Sequence, residues 1–115
     1  MKNVIKFSYP RRGLDGHFNT FRLGAKLSQS LAPGDEVDLV DARTAKVLKR
    51  ATVTSVHTGQ LESMAQQHAH LSHNWKNHPE DSRATTLMES FVRRYPPGRA
   101  RYDSIVTVVY LKELL

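Results

Sequence analysis

The chain contains no cysteine, and this absence removes several kinds of chemistry at once. Thiol nucleophiles, redox-active dithiols, iron–sulfur clusters and cysteine-containing zinc sites all need a cysteine sulfur. A chain of 115 residues buries roughly 65% of the surface that its unfolded form exposes, so a hydrophobic core can hold it without disulfides or a structural metal. We therefore predict one globular domain spanning residues 1–115, with no cofactor.

Long hydrophobic runs are missing as well. No segment approaches the roughly 20 consecutive apolar residues that a membrane-spanning helix needs. The first residues alternate charged and apolar side chains and lack the apolar centre of a signal peptide. The sequence therefore predicts a soluble, cytoplasmic protein with no membrane partner.

Acidic residues are outnumbered by basic ones. Lys and Arg number 17 and Asp and Glu number 11, which gives a net charge of +6 and a pI near 9.9. This balance favours a polyanionic partner such as a nucleic acid. The basic residues form two clusters: Arg43, Lys46, Lys49 and Arg50, and then Arg93, Arg94, Arg99 and Arg101, which flank Tyr95 and Tyr102. We interpret the first cluster as a solvated hairpin tip, and the second as typical of single-stranded RNA recognition, which combines arginines with aromatic rings.

Hydrophobic periodicity predicts a mixture of strands and helices. Residues 36–41 alternate polar and apolar side chains, as a strand does. Leu61, Met64, Ala65 and His68 recur at the spacing of one helix face. The full prediction is strands at 2–9, 36–41, 46–57 and 102–111, an extended piece at 18–23, and helices at 25–31, 60–72 and 79–95. This order indicates an antiparallel sheet with inserted helices, either closed into a barrel or open and covered by two helices.

Three stretches together resemble the ASCH group of the PUA-like superfamily. They are an early segment ending in Arg22, the run Leu31-Ala-Pro-Gly-Asp-Glu-Val-Asp-Leu39, and the region from Leu61 through Tyr95-Pro96 to the last strand. The similarity spans nearly the whole chain. It implies an α+β fold, a small, partly open β-barrel of mostly antiparallel strands with flanking helices. It also implies a connection with RNA or nucleoside chemistry.

The signature of that group is Gly-x-Lys-x-x-Glu-x-Arg, with Thr replacing Glu in small members similar to N(4)-acetylcytidine amidohydrolases. Aligning its last position with Arg22 puts Thr20 at the Glu/Thr place, His17 at the Lys place and Asp15 at the Gly place. The amidohydrolases also use a later Glu. At that place this chain offers His70, Ser72 or His73, so the resemblance carries over Thr20 and Arg22 but no carboxylate.

Thr20 and Arg22 are two residues apart on an extended segment, so their side chains point the same way. A hydroxyl and a guanidinium placed together can hold a phosphate or a nucleobase edge. We therefore expect a basic cleft that binds RNA, a nucleoside or a nucleotide. Its predicted ligand-binding residues are Arg22, Lys26, Arg93, Arg94, Tyr95, Arg99 and Arg101.

Two alternatives stay open. The first is a small hydrolase acting on an acylated nucleoside or on RNA, with Thr20 as nucleophile or water-positioning group and His17 or His70 as base. The second is an adaptor that uses this fold to bind protein.

Four histidines, His68, His70, His73 and His78, lie within eleven residues. On a helix only His70 and His73 share a side, and no Asp or Glu lies between residues 63 and 79. This spacing does not suit a zinc site. We predict no metal, with His68 packed in the apolar helix face.

Overall fold

The structure is a computed structural model that describes residues 3–8, 13–76 and 79–114. The strands are β1 (Asn3–Phe7), β2 (His17–Leu23), β3 (Glu36–Asp41), β4 (Val47–Gln60) and β5 (Ile105–Glu113). The helices are α1 (Lys26–Ser30), α2 (Leu61–His68), followed by a 3-10 turn at Ala69–Leu71, and α3 (Glu80–Arg94). The parts of the predictions that concern Lys2, Tyr9 and His78 lie outside the described residues.

The five strands form one sheet in the order β1-β3-β4-β5-β2. Three of the four pairings are antiparallel, and β1 pairs with β3 in parallel. The sheet curls into a half-barrel, so the fold is α+β with a partly open, barrel-like sheet. β1 and β2 are its two edge strands, and the gap between them is called the seam below.

Each face of the curled sheet carries its own hydrophobic core. Phe7, Phe18 and Leu111 belong to the core inside the curl, while Phe21, Leu61 and Phe91 belong to the core under α2 and α3. Phe18 and Phe21 lie three residues apart on β2, so they point to opposite faces. β5 is an interior strand between β4 and β2 and is buried from Val106 to Leu111, as its run of apolar residues predicts.

The predicted elements are all present, and some of their ends differ. The last strand begins at Ile105 rather than residue 102, because the preceding loop has another role. There the carbonyl oxygens of Tyr102 and Ser104 accept hydrogen bonds from the backbone N–H groups of Glu62 and Leu61, at 3.0 and 2.9 Å. These carbonyls satisfy N–H groups that a helix start leaves unpaired. The α-helix predicted at 60–72 ends at His68, where the 3-10 turn begins.

Within the described ranges, none of the helices combines the length and the apolar character that a membrane crossing requires.

Candidate binding cleft

An open cleft of about 340 Å³ lies at the seam. Three parts of the fold contribute to it: the two edge strands, the end of α3, and the segment that follows the 3-10 turn. The described residues lining it are Lys6, Phe7, Ser8, Thr20, Phe21, Arg22, His73, Asn74, Arg94 and Tyr95. Its volume falls within the range of small-molecule binding pockets.

The wall formed by β2 brings Thr20 and Arg22 together, as their spacing predicts. The Nε group of Arg22 donates a hydrogen bond to Oγ1 of Thr20 over 3.2 Å. The guanidinium carbon of Arg22 lies 4.7 Å from the centre of the Phe7 ring on β1, a cation–π distance. These contacts span the seam and hold the arginine head in place.

The second wall is the carboxyl end of α3. The helix ends at Arg94 because Tyr95 precedes Pro96, and a residue before proline is disfavoured in helical conformation. Tyr95 adopts an extended conformation with φ −101° and ψ 159°. The Tyr95 ring packs against Phe91, with ring centres 5.2 Å apart. Arg94 and Tyr95 are thereby placed at the cleft.

The third wall consists of His73 and Asn74. The backbone N–H of His73 donates to the carbonyl of Asn19 on β2 at 3.0 Å, and Ser72 forms an isolated parallel bridge with the same residue. Gly13 packs against this segment so closely that a Cβ there would lie 1.7 Å from the His73 carbonyl oxygen. Gly13 also has φ +73°, so only glycine fits.

The cleft is basic, because the charged side chains of its described lining are all cationic. Lys6, Arg22 and Arg94 contribute three cationic groups, and the described lining contains no carboxylate. Burial, together with the nearby Arg94, lowers the pKa of Arg22 from 12.5 to about 10. Arg22 therefore remains charged at pH 7, and no carboxylate of the described residues pairs with it.

The first basic cluster is different, because two of its four cations, Lys49 and Arg50, pair with carboxylates of the fold. Lys49 pairs with both Asp15 and Glu113, and Arg50 pairs with Glu36 and Asp38. Lys49 lowers the pKa of both of its carboxylate partners. Lys49 and Arg50 are thus paired within the fold, whereas Arg22 of the cleft pairs with no carboxylate of the described residues.

The other predicted binding residues lie outside the described cleft lining. Lys26 is exposed on α1, and Arg93 is exposed on the last turn of α3. Arg99 and Arg101 are exposed in the loop after α3. In that loop Nε of Arg101 lies 3.3 Å from Oδ1 of Asp103. The structure therefore brings together Thr20, Arg22, Arg94 and Tyr95 and separates the rest from them.

The three predicted catalytic residues do not share one site. Thr20 faces the interior of the curl, whereas His17, three residues earlier on β2, points to the opposite face. There Nε2 of His17 lies 3.1 Å from Oγ1 of Thr54. His70 lines a separate depression between α2 and α3 with Glu80 and Arg83. Among the residues that the structure describes, no three His, Asp or Glu side chains are grouped so that they could hold a metal ion.

Lys6, Phe7 and Asn74 line the cleft but were not predicted from the sequence. Nothing local marks them, because Phe7 has the pattern of an ordinary core residue and Asn74 that of a loop residue. Only the tertiary fold brings them to Arg22: the approach of the two sheet edges places Lys6 and Phe7, and the segment after the 3-10 turn places Asn74. The resemblance did point to His73, as one of three residues at the place of the missing glutamate.

Comparison with known proteins supports the fold. No protein-family model matches the chain, and no curated protein matches it. Its structure is similar to the crystal structure of hypothetical protein PH0355, with a TM-score of 0.68 and 12% sequence identity. The match covers 99% of this chain and 100% of that one. At this identity the likeness shows the fold alone.

Proposed function

We propose that the protein is an ASCH-type, PUA-like module of the cytoplasm that binds RNA or a nucleotide in the seam cleft. The observation that carries this proposal is the half-buried Arg22, which pairs with no carboxylate of the described residues and lies beside Arg94 in a cleft whose described lining has no carboxylate. A phosphate accepts charge-assisted hydrogen bonds from such guanidinium groups. The resemblance of the Thr20-x-Arg22 segment and of the region ending in Tyr95-Pro96 to the ASCH group supports the same ligand class.

The aromatic side chains of the cleft add the second half of a nucleotide site. Tyr95 is half-buried and lines the cleft opposite the arginine of β2. Single-stranded RNA is bound by charge on the phosphates and by aromatic stacking on bases that are not paired. We therefore assign the phosphate to Arg22 and Arg94, and the base to the Tyr95 ring.

The experiment measures fluorescence anisotropy with a labelled single-stranded RNA of twelve nucleotides, at several salt concentrations. We expect wild-type affinity to fall as salt rises, because binding releases counterions. Arg94→Ala and Arg93→Ala form a matched pair: the two arginines are adjacent and exposed on α3, yet only Arg94 lines the cleft. Arg22→Ala and Arg94→Ala should each weaken binding at least tenfold, about 1.4 kcal/mol, and Arg93→Ala less than threefold. Equal losses for Arg93 and Arg94 would show that binding is diffuse charge and would overturn the cleft.

One observation favours the hydrolase alternative: Thr20 and His73 line the same cleft. A hydroxyl nucleophile needs a base within hydrogen-bond reach, and here the Thr20 hydroxyl accepts a hydrogen bond from Arg22 and is only 1% exposed. We therefore favour binding over hydrolysis. Turnover of N(4)-acetylcytidine by the wild type that is lost in Thr20→Ala would reverse this preference.

The adaptor alternative makes a different prediction. A protein partner would be recovered in a pull-down that survives nuclease treatment, and its binding would not depend on Arg22. The Arg22→Ala variant therefore separates this alternative from the proposed function.

A further inference from the structure

A second group of titratable side chains lies on the outer face of the sheet, away from the cleft lining. His57 on β4 and His68 at the end of α2 stack with ring centres 4.6 Å apart and an interplanar angle of 29°. Nδ1 of His68 lies 2.6 Å from the hydroxyl of Tyr110 on β5. Through these contacts the end of α2 is docked on two strands by an imidazole pair.

Asn19 connects this imidazole pair to the cleft. Its side-chain Nδ2 donates a hydrogen bond to the backbone carbonyl of His68 over 2.7 Å. Its own backbone carbonyl accepts the hydrogen bond from the N–H of His73, which lines the cleft. Asn19 is fully buried. Its two hydrogen bonds therefore hold both His68 and His73 against β2.

The surroundings of the imidazole pair disfavour positive charge. Burial and the neighbouring His57 and His70 lower the pKa of His68. The carboxyl end of α2 favours a cation, but these effects outweigh it. Two protonated imidazoles 4.6 Å apart would repel each other in a partly desolvated setting.

The charged and titratable groups around the pair come from every element packed against it. β5 contributes Tyr110 and the exposed Lys112, β2 contributes His17, and the 3-10 turn contributes His70. α3 contributes Glu80 and Arg83, which line the depression that contains His70. Glu80 is the one carboxylate among these described groups, and it lies beside His70 rather than in the stack.

We propose that protonation of His68, partly buried and stacked on His57, loosens the end of α2 from Asn19 and, along the 3-10 turn that follows, releases the Ser72–Trp75 segment. That segment carries His73 and Asn74, the third wall of the cleft. This regulation rests on the proposed function only in its consequence for ligand binding. As the pH falls far enough to protonate His68, the cleft loses one wall and its affinity falls. Near pH 7.5 His68 is neutral, because its pKa is lowered, and the wall is held.

Trp75 reports on this segment without any ligand. It is the only tryptophan, it is half-buried against the core under the helices, and its backbone N–H donates to the Ser72 carbonyl over 3.0 Å. Release of the segment should shift its fluorescence emission to longer wavelength. The experiment is therefore a titration of Trp75 emission between pH 8 and pH 5.

The variant His57→Phe keeps an aromatic ring in the stack and removes one titratable group, and His70→Gln is the control on an exposed histidine of the same segment. We expect a red shift with an apparent midpoint below 6.5 in the wild type and in His70→Gln, and a smaller shift in His57→Phe, where protonated His68 has no second imidazole stacked on it. Absence of a shift in the wild type would overturn the proposal. An unchanged shift in His57→Phe would also overturn it, because it would show that the stacked pair does not control the segment.

Circular dichroism at pH 7.5 first verifies that His57→Phe folds, and His57→Gln replaces it if it does not.

A second experiment measures RNA affinity at pH 7.5 and pH 5.5. We expect the wild type to lose affinity by roughly fivefold or more relative to His57→Phe, the scale of an ordinary coupling between two sites. Equal losses in both proteins would overturn the coupling. Absence of RNA binding at both pH values with an intact Trp75 shift would overturn the proposed function and leave the release of the segment standing.

Discussion

The guanidinium of Arg22 lies over the ring of Phe7 although the two residues belong to the opposite edge strands of one five-stranded sheet. This contact exists only because the sheet curls until β1 and β2 approach each other. The Phe7 ring packs against one face of the Arg22 guanidinium. The opposite face of the guanidinium is turned toward the cleft. The position of the Arg22 guanidinium in the cleft therefore depends on a core residue of β1.

Replacing that support should weaken ligand binding. Phe7→Leu keeps an apolar side chain in the core, and because leucine is smaller, the partial cavity lowers the unfolding free energy by less than the roughly 3 to 5 kcal/mol of a Phe→Ala change. The cation–π contact, worth about 0.5 to 2 kcal/mol, is lost in full. We expect urea unfolding to show a modest loss of stability, and RNA anisotropy to show binding weakened severalfold. Phe91→Leu, in the other core, is the control that should lose stability without losing affinity.

The charge of Arg22 should lower the unfolding free energy of the protein. Its charge is half-buried beside Arg94 with no described carboxylate partner, and its pKa is lowered to about 10. Arg22→Met keeps a long side chain at this position and removes the charge. We expect it to raise the unfolding free energy by about 0.5 to 2 kcal/mol, the usual range when stability has been traded for function, while RNA binding is lost. A less stable Arg22→Met would show that the charge contributes to the fold.

A second stability prediction concerns the β3–β4 hairpin. Ala45 has φ 62°, a left-handed conformation that costs a residue with a Cβ about 1 to 2 kcal/mol. Glycine adopts this conformation without that cost but gains entropy in the unfolded chain. We expect Ala45→Gly to stabilise the protein by about 0.5 to 1 kcal/mol in urea unfolding. Ala42→Gly, in the same exposed turn but without a positive φ, should be neutral or destabilising.

His68 should make stability depend on pH in a defined direction. Its pKa is lowered in the folded state, so between the unfolded value near 6.5 and the lower folded value the unfolded chain binds more protons. Stability is then full above pH 6.5, and it is lost as the pH falls from 6.5 to the lower folded pKa. We expect urea unfolding at pH 7.5, 6.5 and 5.5 to show this loss in the wild type, and a smaller loss in His68→Gln. An identical pH dependence in the two proteins would contradict it.

The local elements of this structure can be predicted from the sequence, whereas the long-range contacts between them cannot. Alternation over residues 36–41 predicts β3, and the spacing of Leu61, Met64 and Ala65 predicts α2, because each pattern depends on neighbours in the chain. The shared direction of Thr20 and Arg22 follows from the same rule. The parallel pairing of β1 with β3 has no local signal. Without it the approach of Phe7 to Arg22 could not be foreseen.

The same limit explains which arginines the cleft contains. The sequence places Arg93, Arg94, Arg99 and Arg101 in one basic cluster, which predicts that they bind one ligand together. Successive residues at the end of a helix point in different directions, so Arg94 lines the cleft and Arg93 does not. Arg101 lies beyond the turn next to Asp103. Composition identifies a basic cluster, whereas the direction of each side chain decides which members of the cluster act together.

The pairing of β2 with β5 has a consequence for how the chain acquires its cleft during synthesis. β2 pairs along its length with β5, so His17 finds its partner Lys112 near the other end of the sequence. Contacts of such long sequence separation form slowly and late. Until β5 has emerged from the ribosome, the strand that carries Thr20 and Arg22 has no neighbouring strand to hold it. The nascent chain therefore lacks the seam cleft, and a premature stop before residue 105 would prevent the cleft from forming even where β1, β3 and β4 had already paired.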